Sequence, residues 1–260
     1  MIDYPQLDPV LVQIGPLAIR WYGLMYMLSF LIGWPLLSRR ARRWMPELTI
    51  ELQNDLLLWI VLGVVLGGRL GYILFYNASY YFSHPAALIR IWEGGMSFHG
   101  GLIGVLLAGW LFARKHRLGF LKLADTVIPV FPLGLLLGRI GNFINAELWG
   151  RVTDVPWGMV FPGAGPLPRH PSQLYEAVLE GVVLMAVLWY LGRKERPEGW
   201  LLGVFSLGYA LSRFLVEFVR EPDAHLGLLA FGWTMGQWLT IPMMAIGVLL
   251  MVRRPRTSCE

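Results

Sequence analysis

Long apolar runs alternate with short polar stretches along the whole chain. Seven runs can be marked off: about Trp21–Leu37, Leu56–Tyr76, Ser97–Ala113, Leu123–Gly141, Gln173–Leu191, Leu201–Val219 and Trp233–Val252. A helix needs about 20 apolar residues to cross a hydrocarbon core of roughly 30 Å. Transmembrane barrel strands are about half as long and alternate in polarity. The pattern therefore predicts an all-α integral membrane protein with about seven transmembrane helices. Residues 1–260 read as a single polytopic membrane domain. The runs do not pair into inverted halves, which counts against a secondary transporter.

Two polar stretches break this rhythm. Met1–Ile19, with its prolines and aspartates, reads as an interfacial lead-in. Residues 142–171 read as a small external head inserted between segments four and five. Pro156, Pro162, Pro166, Pro168 and Pro171, with glycines among them, predict irregular backbone there. Ser172 stands where it would N-cap segment five.

Composition strengthens the membrane reading. The chain is 56% hydrophobic and 15% charged, with mean hydropathy +0.54, against about 25% charged in soluble domains. The net charge of +5 would suggest nucleic acid in a soluble protein. Here the basic residues cluster between apolar runs, so membrane orientation explains them and no nucleic-acid partner is expected. Arg39, Arg40, Arg42 and Arg43 follow segment one, and Arg114, Lys115, Arg117 and Lys122 follow segment three. Arg193, Lys194 and Arg196 follow segment five, and Arg253, Arg254 and Arg256 follow segment seven. The opposite ends carry few. The positive-inside rule then places the N-terminus outside, the C-terminus in the cytoplasm, and the head outside. The single cysteine, Cys259, excludes an internal disulfide and a cysteine-based metal site. No Lys or Arg precedes Arg20, so no cleaved signal peptide is expected.

The densest chemistry lies in Gly138–Arg151, at the outer end of segment four. Within fourteen residues come Arg139, Asn142, Asn145, Glu147 and Arg151. A charge at the centre of a span costs roughly 2.5–3.5 kcal/mol, so such groups face protein or a wet cavity. Guanidinium matches phosphate in charge and geometry, which suits an anionic lipid headgroup better than simple snorkelling. Arg139 and Asn142 are three apart and predict one shared face. Gly134 and Gly138, four apart, predict close approach of another helix. Glu147 is placed to hold Arg139.

Other polar groups lie near apolar spans. His99, flanked by glycines at the start of segment three, is a natural proton carrier or a structural hydrogen-bonder. Tyr22 opens segment one beside Trp21, as an interface anchor or a headgroup contact. Glu176 and Glu180 lie four apart and need cationic partners. Tyr209, Arg213 and Glu217 form a stripe on segment six, with Arg220 a turn further. An internal Arg213–Glu217 pair would lower the insertion cost. Arg69 reads first as an ion-pair partner, and Asp125 as a cap.

These blocks carry a resemblance. Gly138–Arg151 resembles the signature of the bacterial prolipoprotein diacylglyceryl transferases. So do Trp21–Tyr26, His99–Gly104, Arg169–Glu176 and the stripe from Gly208 to Asp223, and together they cover nearly the whole chain. The resemblance implies transfer of diacylglycerol from phosphatidylglycerol to the lipobox cysteine thiol of a preprolipoprotein signal peptide. A thioether forms and glycerol phosphate leaves. It implies catalytic roles for His99, Arg139 and Arg213. Tyr22, Asn142, Glu147, Gly150, Tyr209 and Glu217 become substrate contacts, with no metal and no cofactor. It also implies a bacterial cytoplasmic membrane location with the site facing outward. Phe161–Arg169 is short in a region of the head that varies in length among relatives. A phospholipid transporter is the alternative for such a cluster, but it would need access from both sides.

Overall fold

The computed structural model describes the chain apart from residues 1, 6, 16, 77, 85–86, 89, 91–94, 223–228 and 254–260. The readings of Asn77, Pro85, Asp223 and Cys259 fall outside the described residues. Most of the rest is helical. Among the described residues, five helical stretches are long and apolar enough to cross a membrane: Trp21–Trp44, Ile50–Phe75, Phe120–Ile144, Ser172–Leu191 and Met235–Val252. The chain therefore has the helical body of a multi-pass membrane protein.

The other two expected segments are helices of a different character. Segment three is α4 (Phe98–Lys115), 18 residues with Arg114 and Lys115 inside its last turn. Segment six is α9 (Trp200–Val216), 17 residues, which stops at Val216 rather than at Val219.

Helix ends also depart from the apolar runs. α1 (Trp21–Trp44) continues through Arg39–Arg43 instead of stopping at Leu37. Arginine is a good helix former, and cations suit a helix C-terminus. α2 (Ile50–Tyr76) starts six residues before Leu56, with Glu51 in its first turn. Segment four is α5 (Phe120–Val127), a 3-10 turn at Ile128–Val130, and α6 (Phe131–Ile144). Pro129 and Pro132 lack the N–H that a continuous helix would use. Segment five is α7 (Ser172–Glu176), a π-helical stretch Ala177–Val183, and α8 (Leu184–Leu191). Pro171, not Ser172, holds its N-cap position.

The lead-in holds short strands that the pattern did not announce. β1 (Ile2–Asp3) pairs in parallel with β4 (Met159–Val160) of the expected head. β2 (Val10–Ile14) and β3 (Leu17–Arg20) form an antiparallel hairpin. Strands of two to five residues are too short to carry a readable period of two.

The chain forms two compact units, Ser38–Thr126 and Met1–Leu37 with Val127–Glu260. In the first, α2 and α4 meet along Gly63, Gly67, Gly71, Gly100 and Gly104. A Cβ on Gly71 would lie 2.7 Å from Gly100 Cα, and one on Gly63 would lie 2.9 Å from the carbonyl carbon of Gly104. Such stripes of small residues let apolar helices pack on backbone. Gly63→Val is expected to cost about 1–3 kcal/mol through overpacking. The measurement is the thermal midpoint in detergent, with Gly101→Ala, where a Cβ has room, as the neutral control. Arg69 on α2 donates to the carbonyls of Ala87 (2.7 Å), Leu88 (3.1 Å) and Gly95 (3.3 Å). Its described hydrogen-bond partners are backbone carbonyls. The short α3 (Ala78–Ser83) supplies Tyr81, whose ring lies 5.0 Å from the Arg69 guanidinium.

In the second unit, Leu184, Leu188, Leu201, Val204 and Phe205 form an apolar core between α8 and α9. α9 meets α10 (Met235–Val252) at Gly203, where a Cβ would lie 2.8 Å from Gly247 O. Among the described residues the close approach expected at Gly134 and Gly138 is absent, because a Cβ on either meets nothing within 4 Å. The tight contacts of α6 fall elsewhere. A Cβ on Gly181 would lie 2.9 Å from Leu136 Cα, and one on Gly141 would lie 2.9 Å from Tyr22 Cδ2. Four-residue spacing puts glycines on one face, but only packing decides whether that face is used.

Candidate active site

The site begins where α6 unwinds. Asn145 caps the helix, and Ala146 and Leu148 take left-handed backbone, with φ of 52° and 58°. That conformation costs a non-glycine residue roughly 1–2 kcal/mol, so other bonds must hold it. Gln173 Nε2 donates to Glu147 O at 2.6 Å, and Ser172 Oγ to Leu148 O at 3.0 Å. The Tyr4 hydroxyl donates to Phe143 O (2.6 Å) and Ile144 O (3.0 Å). Ser172 thus secures this turn and does not cap its own helix. The Glu147 carboxylate accepts from Asn142 Nδ2 at 2.7 Å and from Asn145 Nδ2 at 3.4 Å. The sequence placed Glu147 on Arg139, but the reversed turn directs it to Asn142.

Arg139 takes different partners. Its Nη1 lies 3.2 Å from Glu176 Oε2, and its Nη2 lies 3.2 Å from Glu180 Oε2. Both carboxylates are fully buried, and both belong to the segment with the π-helical stretch. Glu176 is the hub. Its Oε1 also accepts from Arg213 Nη1 and, at 3.1 Å, from Arg220 Nη1. Arg213 Nη2 pairs in turn with Glu217 on the same helix. The Glu217 Oε2 accepts from the Thr234 hydroxyl at 2.7 Å, at the capped N-terminus of α10. Arg139 and Arg213, expected on separate spans, therefore meet on one carboxylate. Tyr209 stacks on Phe205 with centroids 5.9 Å apart, within electrostatic reach of Glu180, Arg213 and Arg139.

Three guanidiniums and three carboxylates give this cluster a formal charge of zero. Each guanidinium carries five N–H donors, more than its carboxylate partners occupy. The donors left over on Arg139 and Arg213 can serve an anion. Among the described residues, no group of three or more His, Cys, Asp or Glu is placed to hold a metal ion.

Gly150 joins the turn to the cluster. It forms an antiparallel bridge with Arg220, and its N–H donates to His170 O at 2.8 Å. A Cβ there would lie 2.7 Å from His170 Cβ, so this position requires glycine. Arg151 Nε donates to Arg220 O (2.9 Å), and Arg169 Nη1 pairs with Glu221 (2.8 Å). Burial pushes the His170 imidazole below its ordinary value, and its Nδ1 lies 3.2 Å from the Tyr175 hydroxyl.

Tyr22 rests on Gly141, and its hydroxyl lies 3.2 Å from that of Tyr26. It is within electrostatic reach of both Glu147 and Arg139. His99 belongs to the other unit, as an exposed residue in the first turn of α4. Ser97 caps that helix by accepting from Gly100 N at 3.2 Å. The sequence reading gave Glu176 and Glu180 only a pairing role and set Arg220 one turn beyond the segment-six stripe. The available signal was numerical: buried arginines in apolar helices need as many buried carboxylates.

Known proteins give this geometry a context. The sequence model for the family "Prolipoprotein diacylglyceryl transferase" matches residues 9–253. The phosphatidylglycerol–prolipoprotein diacylglyceryl transferase of Nitratidesulfovibrio vulgaris is 58% identical over 258 residues, covering 97% of this chain and 96% of its own. That of Pseudomonas aeruginosa is 56% identical over 253 residues, with 97% and 95% covered. That of Neisseria meningitidis is 52% identical over 276 residues, with 97% and 98% covered. Helical spans, a buried arginine–glutamate cluster and similarity along nearly the full length lead to one conclusion: the chain belongs to the prolipoprotein diacylglyceryl transferase family.

Proposed function

We propose that this chain transfers the diacylglyceryl group of phosphatidylglycerol to the lipobox cysteine of a preprolipoprotein. Family membership supports the substrates. The observation that carries the chemistry is the convergence of Arg139 and Arg213 on Glu176. In the reaction the thiol sulfur attacks the glyceryl carbon, the carbon–oxygen bond to phosphate breaks, and glycerol phosphate departs. The thiol proton is released. The phosphodiester carries one negative charge and the departing monoester approaches two. Guanidiniums on both sides of the phosphate hold that growing charge, and stabilisation confined to the transition state is what accelerates the step. Asn142, oriented by Glu147, contacts the headgroup, as do Tyr22 and Tyr209. Glu217 positions Arg213, and Gly150 keeps the backbone close.

Only a thiolate attacks well, and a free thiol has a pKa of about 8.5. His99 is assigned to removing the proton. His99→Gln is expected to lower turnover by about 10²–10⁴-fold and to shift the pH–rate profile toward higher pH. Full activity with an unchanged profile moves the role to another group.

With α4 and α9 counted among the spans there are seven, and the basic clusters support an N-terminus outside and a C-terminus in the cytoplasm. The protein is a single membrane domain in the bacterial cytoplasmic membrane. Residues 142–171 form the external head, and the site faces outward. A lipobox peptide and labelled phosphatidylglycerol, mixed with the reconstituted protein, test the reading. Label on the cysteine is expected. Movement of lipid across the bilayer without transfer would mark a transporter instead.

A further inference from the structure

Glu180 stands apart from the other two carboxylates of the cluster. Glu176 has ion-pair contacts on both oxygens, Oε1 with Arg213 and Arg220 and Oε2 with Arg139, although Oε2 accepts no hydrogen bond among the described residues. Glu217 is paired through Oε1 with Arg213 and through Oε2 with Thr234. Glu180 is paired through Oε2 alone. Its Oε1 is buried with no hydrogen-bond partner among the described residues, and its side chain is 0% exposed. A buried carboxylate oxygen without a donor is costly while it carries charge.

The charge balance gives that oxygen a use. The cluster is neutral while empty. A phosphodiester settling between Arg139 and Arg213 adds one negative charge in surroundings of low dielectric. It also draws Arg139 donors away from Glu180, whose only described ion-pair partner is that arginine. The charged groups facing Glu180 are Arg139 from α6, Arg213 from α9 and Glu176 from its own helical stretch, with the Tyr209 hydroxyl beside them. Of these, only Arg139 bonds it directly.

Resting on the function proposed above, we infer that Glu180 takes up one proton when the lipid phosphate binds. It is a positioning residue that frees Arg139 for the anion and keeps the loaded site neutral. The sign follows from linkage. Uptake on binding means that the bound form holds the proton more tightly than the free form. Affinity for the phosphodiester is therefore level at low pH. Above the free-site value it weakens as pH rises, by up to tenfold per pH unit. The phosphodiester itself does not titrate in this range.

The test uses the purified full chain in detergent and a short-chain phosphatidylglycerol, with no thiol acceptor present. Calorimetry in buffers of different ionisation enthalpy counts protons taken up on binding. Wild type is expected to take up close to one proton per lipid over the pH range in which affinity falls. Glu180→Gln, the neutral isostere, is expected to bind with little pH dependence and to take up close to none. Glu180→Asp, still ionisable, is expected to restore the uptake. If wild type binds without taking up a proton anywhere between pH 5 and 9, the inference is overturned. It is equally overturned if Glu180→Gln keeps the wild-type proton count. Binding that is unchanged in Arg139→Ala would instead sink the lipid-site assignment, and the two failures are distinguishable.

Discussion

Replacing Arg139 with alanine is expected to abolish diacylglyceryl transfer while leaving a folded protein. Arg139 reaches Glu176 and Glu180 through separate nitrogens and still has donors for an anion. Losing one preorganised group aimed at developing charge costs about 10²–10³-fold in turnover. Arg139 supplies a whole charge as well as direction, so the loss should reach or exceed that range. The fold should survive, because Glu180 can become neutral by taking a proton and Glu176 keeps Arg213 and Arg220. Arg139→Lys should recover little. An ammonium is a point charge and cannot span two carboxylates in the planar way of a guanidinium. The measurement is single-turnover transfer to a lipobox peptide, beside a thermal midpoint to establish folding. A well-folded Arg139→Ala protein with normal turnover would falsify the catalytic assignment.

The second large effect is on stability. Glu176→Ala is expected to destabilise the protein by about 3–5 kcal/mol, the usual cost of removing one partner from a buried ion pair. The fully buried Glu176 carboxylate is the common partner of Arg139, Arg213 and Arg220. Its removal leaves three guanidiniums facing two carboxylates across an empty space. Glu176→Gln fills the space and still accepts hydrogen bonds, so it should lose less. Denaturant or thermal unfolding in detergent measures both. An unchanged midpoint for Glu176→Ala would show that the arginines rearrange to other partners and that Glu176 is not the hub.

These two residues were not equally legible. Arg139 stood out because a cation beside an apolar run is rare and costly, and cost is visible in one dimension. Glu176 did not, because a carboxylate near a helix start has many ordinary uses. Its importance comes from three arginines, two on helices α6 and α9 and one just beyond α9, converging on it. No local spacing encodes that convergence. Glu147 shows the same limit from the other side. Proximity in sequence placed it on Arg139, yet left-handed backbone at Ala146 and Leu148 directs it to Asn142. Gly134 and Gly138 show it again, since their spacing is right for a close crossing while the crossings form at Gly141 and Gly181.

The sequence by itself determined the membrane class, the helical body and the residues whose burial needs compensation. Each follows from the free energy of moving apolar or charged groups out of water, which acts residue by residue. Only the tertiary structure decided how charges were compensated, where α4 and α9 begin and end, and which glycines sit at crossings. Those outcomes depend on distances between groups far apart in the chain. The zero net charge of the arginine–glutamate cluster is a property of the folded site, assembled from α6, the π-helical segment and the end of α9.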